Sequence, residues 1–306
     1  MDQVIEKREL FVLNGTGASV RGTFHKTRND DSLEKSNLGA RERIGVLFLN
    51  SLSQTRAGKG DSSVYWADSF AQAGYPSFRI DLPGFGDSED ETPKDLLAFI
   101  NRGSYAKVIS AKAKELRERF NISGVVLMGL CAGAVSAIHA APVVSECRGL
   151  ILLDPYFHLP PSKRSKTWGR LSDRLQQSAL RRLIKIASNR VKYIRALFLG
   201  GRLPSNSNFP LLTCWKQLAS TSLPIIIFRA PTATRDREFD YINYNLEHAG
   251  QDNQVVLKMI EGADHTFANR LGRAAVRQET ENWLSACFPL IGQEECCLDI
   301  ASRGHE

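Results

Sequence analysis

Short apolar runs alternate with amphipathic segments along most of the chain. The apolar runs lie at 44–50, 75–81, 124–130, 148–154, 223–230 and 253–260, and the amphipathic segments at 62–74, 104–120, 132–141, 237–248 and 270–286. Apolar strands that are each followed by a helix are typical of a parallel sheet with both faces covered. Upstream, ELFVLNG and ASVRGTFHKT alternate apolar and polar residues, which predicts an antiparallel hairpin. The pattern therefore predicts an α/β fold with a mostly parallel eight-stranded sheet.

Residues 157–215 interrupt this alternation and carry a helical pattern of their own. Apolar positions recur there at intervals of three and four, at Leu180, Leu183, Ile184, Ala187, Val191, Ile194 and Phe198. Twelve lysines and arginines lie between 163 and 202 against one acid, Asp173, whereas the whole chain has a net charge of +7. We predict a basic helical lid, 157–215, inserted into a core formed by 1–156 and 216–306. Charge confined to one segment favours an acidic protein partner over nucleic acid.

The sequence gives no signal for membrane insertion, secretion or a bound metal. It contains no run of about 18 apolar residues, and its first ten residues, MDQVIEKREL, lack the basic and apolar regions of a secretory signal. The six cysteines are too few and too unevenly spaced for a disulfide framework, and none forms a C-x-x-C pair. We expect a cytoplasmic protein with reduced thiols, no stable membrane insertion, no cofactor and no metal.

The apolar run GVVLMGL is followed by a short turn of small residues and then by a helical pattern. In Gly129-Leu130-Cys131-Ala132-Gly133 the small residues permit a sharp change from strand to helix, which raises the central side chain under backbone strain. The Cys131 thiol would lie at a helix N-terminus, where the dipole and the N–H groups favour a thiolate. A buried structural cysteine beside packing glycines is the alternative. The strand before it and the helix after it favour a nucleophile.

Two further motifs carry a resemblance to the α/β-hydrolases. Asp81-Leu-Pro-Gly-Phe-Gly-Asp-Ser88 resembles their D-x-P-G-x-G-x-S turn, and Gly262-Ala-Asp-His265-Thr-Phe267 resembles their histidine loop. The resemblance implies an α/β-hydrolase fold with an inserted helical lid. Within the superfamily, GLCAGA, LDPYF, LFLGGRL and ADHTF resemble the cysteine-bearing hydrolases associated with exosortase systems, and also the Dieckmann cyclases that release tetramate-type polyketides.

His265 is the candidate general base, because it follows the last predicted strand and can approach Cys131 from the edge of the sheet. Two residues compete for the acid that would orient it. Asp154 ends the run RGLILLD, where the carboxyl ends of the strands meet. Asp236 follows LPIIIFRA, which is the more frequent location of the acid in α/β-hydrolases. The cyclase relatives use the strand-end aspartate, so we favour Asp154 and keep Asp236 as the alternative.

The oxyanion hole is expected to consist of two backbone N–H groups. One belongs to Ala132, the residue after the nucleophile, and the other to Ser51 or Leu52 in the loop after LFLN. The second donor is inferred from its position alone, because no His-Gly pair occurs in that loop.

A cysteine nucleophile is suited to acyl thioesters. Attack of a thiolate on a thioester exchanges one thioester for another with little change in free energy, so the acyl group on Cys131 would stay activated. We predict an enzyme that accepts a polyketide or peptide chain from an acyl carrier protein, docked near the basic lid, and releases it by Dieckmann-type cyclisation. The alternatives are a plain cysteine hydrolase, such as a thioesterase or lactone hydrolase, and a catalytically silent binding scaffold.

Overall fold

The computed structural model describes residues 8–27, 43–52, 54–159, 206–231 and 254–290. The chain divides into two compact units, one of Met1–Tyr156 with Pro210–Glu306 and the other of Phe157–Phe209. Most of the predicted lid, the predicted helix 237–248 and Asp236 lie outside the described residues. These three remain predictions.

Eight strands form the core of the described structure. They are β1 Arg8–Leu13, β2 Val20–His25, β3 Ile44–Leu49, β4 Ser77–Ile80, β5 Gly124–Leu130, β6 Cys147–Leu153, β7 Ile225–Arg229 and β8 Val255–Met259. They form one sheet of order β1-β2-β4-β3-β5-β6-β7-β8. Strand β2 runs antiparallel to its neighbours β1 and β4, and all other neighbouring pairs are parallel. The predicted hairpin and the predicted mostly parallel eight-stranded sheet are therefore confirmed.

Six α-helices belong to the described part of the chain. They are α1 Ser62–Gln72, α2 Leu96–Asn101, α3 Ala106–Phe120, α4 Ala132–Ala140, α5 Phe209–Ala219 and α6 Arg270–Cys287, with short 3₁₀ turns at Lys59–Asp61 and Ala141–Val143. Helices α2 and α5 were not predicted; α2 is a short helix capped by the Asp95 carboxylate, which accepts a hydrogen bond from the Ala98 N–H. Of the described helices, none has the length and apolar character needed to cross a bilayer.

The alternating side chains of the central strands face two different helical layers. Val126 and Met128 of β5 belong to a buried cluster that also contains Trp66 of α1 and Leu284 of α6. The intervening Leu127 is also fully buried, as expected when helices cover both faces of a sheet. Helix α4 packs on the strands from the other side and contacts α2 and α3. Burial on both faces explains why these strands are continuous apolar runs in the sequence.

The register of the central strands places three loops at one edge of the sheet. Leu49, the last residue of β3, pairs with Gly129 of β5. Leu130, the last residue of β5, pairs with Leu153, the last residue of β6. The residues that follow these strands are therefore neighbours at the carboxyl edge, where α/β proteins carry their chemistry.

Candidate active site

Cys131 lies at the turn between β5 and α4, in a strained backbone conformation. Its φ of 53° and ψ of −110° are unusual for a residue with a side chain. The Cys131 N–H donates to the Leu153 carbonyl (2.8 Å), and the Cys131 carbonyl accepts from the Val135 N–H (3.1 Å) in the first turn of α4. The turn is therefore fixed on both sides of the thiol, as in the nucleophile elbow of hydrolases.

The two glycines of the elbow are required by close backbone contacts. A Cβ added at Gly129 would lie 2.3 Å from the Gly133 carbonyl carbon, so the strand and the helix can meet this closely only without a side chain. A Cβ added at Gly133 would lie 2.8 Å from the carbonyl oxygens of Leu49 and Asn50. The start of α4 therefore packs directly against the end of β3.

This contact brings the predicted oxyanion residues to the same edge as Cys131. Ala132 is the first residue of α4 and is buried, and the N–H groups in the first turn of a helix lack intrahelical acceptors. Ser51 and Leu52 directly follow Asn50, whose carbonyl lies against Gly133. Ser51 is partly buried, whereas Leu52 is exposed. The assignment of their N–H groups as oxyanion donors remains a prediction.

Asp154 and His265 contact each other at this edge. Asp154 directly follows β6, is 1% exposed, and donates its N–H to the Phe228 carbonyl (2.7 Å). Its carboxylate Oδ2 is hydrogen-bonded to Nδ1 of His265, which lies in the loop between β8 and α6. Since the carboxylate accepts, Nδ1 carries the proton and Nε2 is directed elsewhere.

The electrostatics of His265 link Asp154 to Cys131. The hydrogen bond with Asp154 and a second one with Cys131 raise the pKa of His265 to about 9, against the opposing effect of burial. A pKa this high keeps the imidazole protonated at neutral pH. Cys131, His265 and Asp154 therefore form a connected cysteine, histidine and carboxylate group, whose catalytic role is a proposal. The predicted alternative acid, Asp236, lies outside the described residues.

The loop that carries His265 is held by its neighbours in the chain. The Asp264 carboxylate accepts from the N–H (3.0 Å) and the hydroxyl (2.8 Å) of Thr266, and so is bonded within its own loop. Asn269 donates its side-chain amide to the Gly262 carbonyl (2.8 Å) and accepts from the Gly272 N–H (2.7 Å), which caps α6. These bonds close the loop on itself and fix the position of the imidazole.

The D-x-P-G-x-G-x-S motif supports the loop after β3. The sequence did not reveal this support. The buried Asp81 carboxylate accepts from the Asn50 side-chain amide (3.1 Å) and from the Arg56 N–H (2.6 Å). Gly86 is required there, because an added Cβ would lie 2.2 Å from that carboxylate. The Asn50 side chain also donates to the Gln54 carbonyl (3.1 Å). Asn50 and Arg56 gave no sequence signal, since isolated polar residues in a loop match no motif.

The strand order and the helices on both faces of the sheet agree with one family of enzymes. The family model described as alpha/beta hydrolase fold matches residues 47–285, and the chain belongs to that family. No curated protein is significantly similar to the chain.

Several solved structures share the fold. An esterase of Pyrococcus furiosus, Pf2001, has a TM-score of 0.58 and 14% identity, over 92% of this chain and 91% of that chain. XC6422 from Xanthomonas campestris, described as a serine hydrolase without lid, has a TM-score of 0.54 and 12% identity, over 92% and 96%. A predicted CIB-like hydrolase from Thermoplasma acidophilum has a TM-score of 0.52 and 14% identity, over 91% and 98%. At these identities the similarity shows the fold alone.

Proposed function

We propose that this hydrolase-fold enzyme processes acyl thioesters through a covalent adduct on Cys131. The contact of His265 with both Asp154 and Cys131, together with its raised pKa, carries the proposal. Cys131 would be the nucleophile, His265 would move the proton, and Asp154 would orient His265 and stabilise its protonated form. Backbone N–H groups of Ala132 and of Ser51 or Leu52 would stabilise the oxyanion.

The first half-reaction moves the acyl chain from its carrier to the enzyme. The Cys131 thiolate attacks the thioester carbonyl, a new C–S bond forms, and the bond to the carrier thiol breaks. The departing carrier thiolate takes a proton from the His265 imidazolium, which leaves neutral imidazole beside an acyl-Cys131.

The second half-reaction decides between two products. In the Dieckmann-type reaction that we favour, neutral His265 removes a proton from an activated carbon of the bound chain. That carbanion attacks the acyl-Cys131 carbonyl, a carbon–carbon bond closes the ring, and the Cys131 thiolate leaves beside the regenerated imidazolium. In the alternative, a plain cysteine hydrolase, water replaces the carbon nucleophile and a linear acid leaves. The hydrolases and esterases among the solved structures favour keeping this alternative.

The carrier-protein partner is proposed from the charge of the sequence. Twelve lysines and arginines between 163 and 202, against a single acid, would attract the acidic surface of a carrier and speed its encounter with the enzyme. A lid at 157–215 that excluded water would favour ring closure over hydrolysis.

Intact-protein mass spectrometry tests the proposal. Incubation with a carrier-bound β-ketoacyl aminoacyl chain should give a mass increase equal to the acyl group, mapped to Cys131, followed by release of a cyclic product. Cys131→Ala should form neither the adduct nor the product. Release of linear acid alone would refute cyclisation and support the hydrolase, whereas alkylation of Cys131 by iodoacetamide no faster than of free cysteine would support a silent scaffold.

Cys214 provides a matched control. Its thiol also contacts a histidine, with 3.6 Å between Sγ and Nδ1 of His139, but the other nitrogen of His139 faces the Asn101 carbonyl (3.1 Å) rather than a carboxylate. Burial raises the pKa of the Cys214 thiol and lowers that of His139, so both groups stay neutral. Cys214→Ala should therefore leave adduct formation unchanged.

A further inference from the structure

A chain of buried polar side chains connects helix α1 to the loop after β3. Its central members, His25 of β2 and Arg79 of β4, are 1% and 5% exposed. Burying a cation and an imidazole is costly unless their hydrogen bonds are satisfied. The hydrogen bonds of His25 and Arg79 go to Asp68, to each other and to Arg56, and not to the site residues. The burial of these two side chains therefore needs a separate explanation.

The hydrogen bonds fix the protonation state of His25. Arg79 Nε donates to His25 Nε2 (2.7 Å), and an arginine can only donate, so Nε2 is an acceptor. Nδ1 must then carry the single ring proton, which it donates to the Asp68 carboxylate (2.7 Å). The Asp68 carboxylate is held from the other side by Arg8 (2.6 Å). His25 is therefore a neutral bridge between an anion and a cation.

Arg79 connects His25 to the loop after β3 through hydrogen bonds. Its Nη1 donates to the Arg56 carbonyl (2.9 Å), while its Nε is held by His25. Arg56 in turn donates its N–H to Asp81 (2.6 Å) and its Nε to the Thr23 hydroxyl (3.2 Å). The Arg56 backbone is thus held from two directions, by Asp81 at its N–H and by Arg79 at its carbonyl.

The held backbone belongs to the loop that contains Ser51 and Leu52. Asn50 and Arg56 both donate to the Asp81 carboxylate, so the loop is tied to one buried anion on either side of these two residues. A backbone donor stabilises an oxyanion only at a narrow range of distances, and fixed donors need no reorganisation during the reaction. A small displacement of such a loop therefore lowers the rate of acyl transfer.

We propose that His25 and Arg79 are positioning residues that hold the oxyanion loop, residues 50–52 and 54–56, in its reactive geometry. This role rests on the proposed function, in which that loop supplies the second oxyanion donor. If the two residues have this role, their loss should slow acyl transfer to Cys131 but not alkylation of Cys131. Acyl transfer passes through a tetrahedral oxyanion and needs the loop, whereas alkylation by iodoacetamide displaces iodide at a carbon and forms no oxyanion.

The test compares the two rates in wild type, His25→Leu and Arg79→Lys. Acylation is measured in a single turnover with hexanoyl-N-acetylcysteamine, and alkylation with iodoacetamide, both at Cys131 by mass spectrometry. We expect acylation to fall by about tenfold or more in both variants, while alkylation stays within about twofold of wild type. His25→Gln, whose amide oxygen can still accept from Arg79, should recover most of the acylation rate.

Lys112→Met separates positioning from general destabilisation. Lys112 is also fully buried, but its hydrogen bonds are to the Leu13 carbonyl (3.0 Å) and the Glu115 carboxylate (3.3 Å) and not to the loop after β3. This variant should have a lower Tm and an unchanged ratio of acylation to alkylation. Equal losses of both rates in His25→Leu and Arg79→Lys, or unchanged acylation in both, would overturn the positioning role. A wild type that is alkylated rapidly but never acylated would overturn the proposed function and this role with it.

Discussion

Replacement of Asp154 by asparagine tests how strongly the carboxylate stabilises the His265 imidazolium. The rise of the His265 pKa from 6.5 to about 9 corresponds to about 3 kcal/mol of preference for the protonated ring. Asp154 is the larger contributor and Cys131 the second. Since the His265 side chain is 32% exposed, solvent screening reduces these contributions, and we assign about 1 to 2 kcal/mol to Asp154.

In Asp154→Asn we therefore expect the pKa of His265 to fall by about one unit, measured by NMR titration of the labelled imidazole ring. Acylation of Cys131 should slow by at least about tenfold, because an amide N–H facing Nδ1 favours the wrong tautomer. Asp264→Asn is the matched control: its carboxylate binds Thr266, so His265 should titrate as in wild type. A His265 titration in Asp154→Asn that coincides with wild type would refute the role assigned to the carboxylate.

Three further results are expected. Gly133→Ala should lower the free energy of unfolding by about 1 to 3 kcal/mol in urea titration, because its Cβ would lie 2.8 Å from the Asn50 carbonyl oxygen; unchanged stability would contradict this packing. Asn269→Ala should cost about 1 kcal/mol by the same measurement, since the Gly272 N–H loses its cap. The folded-state pKa of His265 is raised, so its contribution to stability is complete below pH 6.5 and is lost as the pH rises towards about 9. The Tm difference between wild type and His265→Gln should shrink over that range, and a constant difference would contradict the shift.

The sequence predicted the parts of the structure that depend on local pattern. Strand β5 occupies Gly124–Leu130 as expected, because a strand covered on both faces must be apolar throughout. The turn after it could also be identified, because a strand can reverse into a helix this sharply only with small residues on both sides of Cys131. Asp154 could be placed at the carboxyl edge because it follows a parallel strand, but it was favoured over Asp236 from the resemblance to the cyclases.

The support of the loop after β3 could not be predicted from the sequence. His25 and Arg79 are 54 positions apart, and Arg56 and Asp81 are 25 apart. Such contacts depend on the order of strands in the sheet, which brings β2 beside β4. Helix α2 was missed for a different reason: six residues are too few to show a helical period, and its Asp95 cap has no sequence context that sets it apart from a turn.

The pairing of Leu130 with Leu153 has a practical consequence for engineering. Cys131 and Asp154 directly follow paired residues of adjacent strands, and hydrogen-bonded strands lie about 4.8 Å apart in any sheet. Nothing in that spacing depends on loops elsewhere in the chain. A library that randomises distant surface loops should therefore leave the proposed nucleophile and the proposed acid in place, whereas changes at the strand ends would move them.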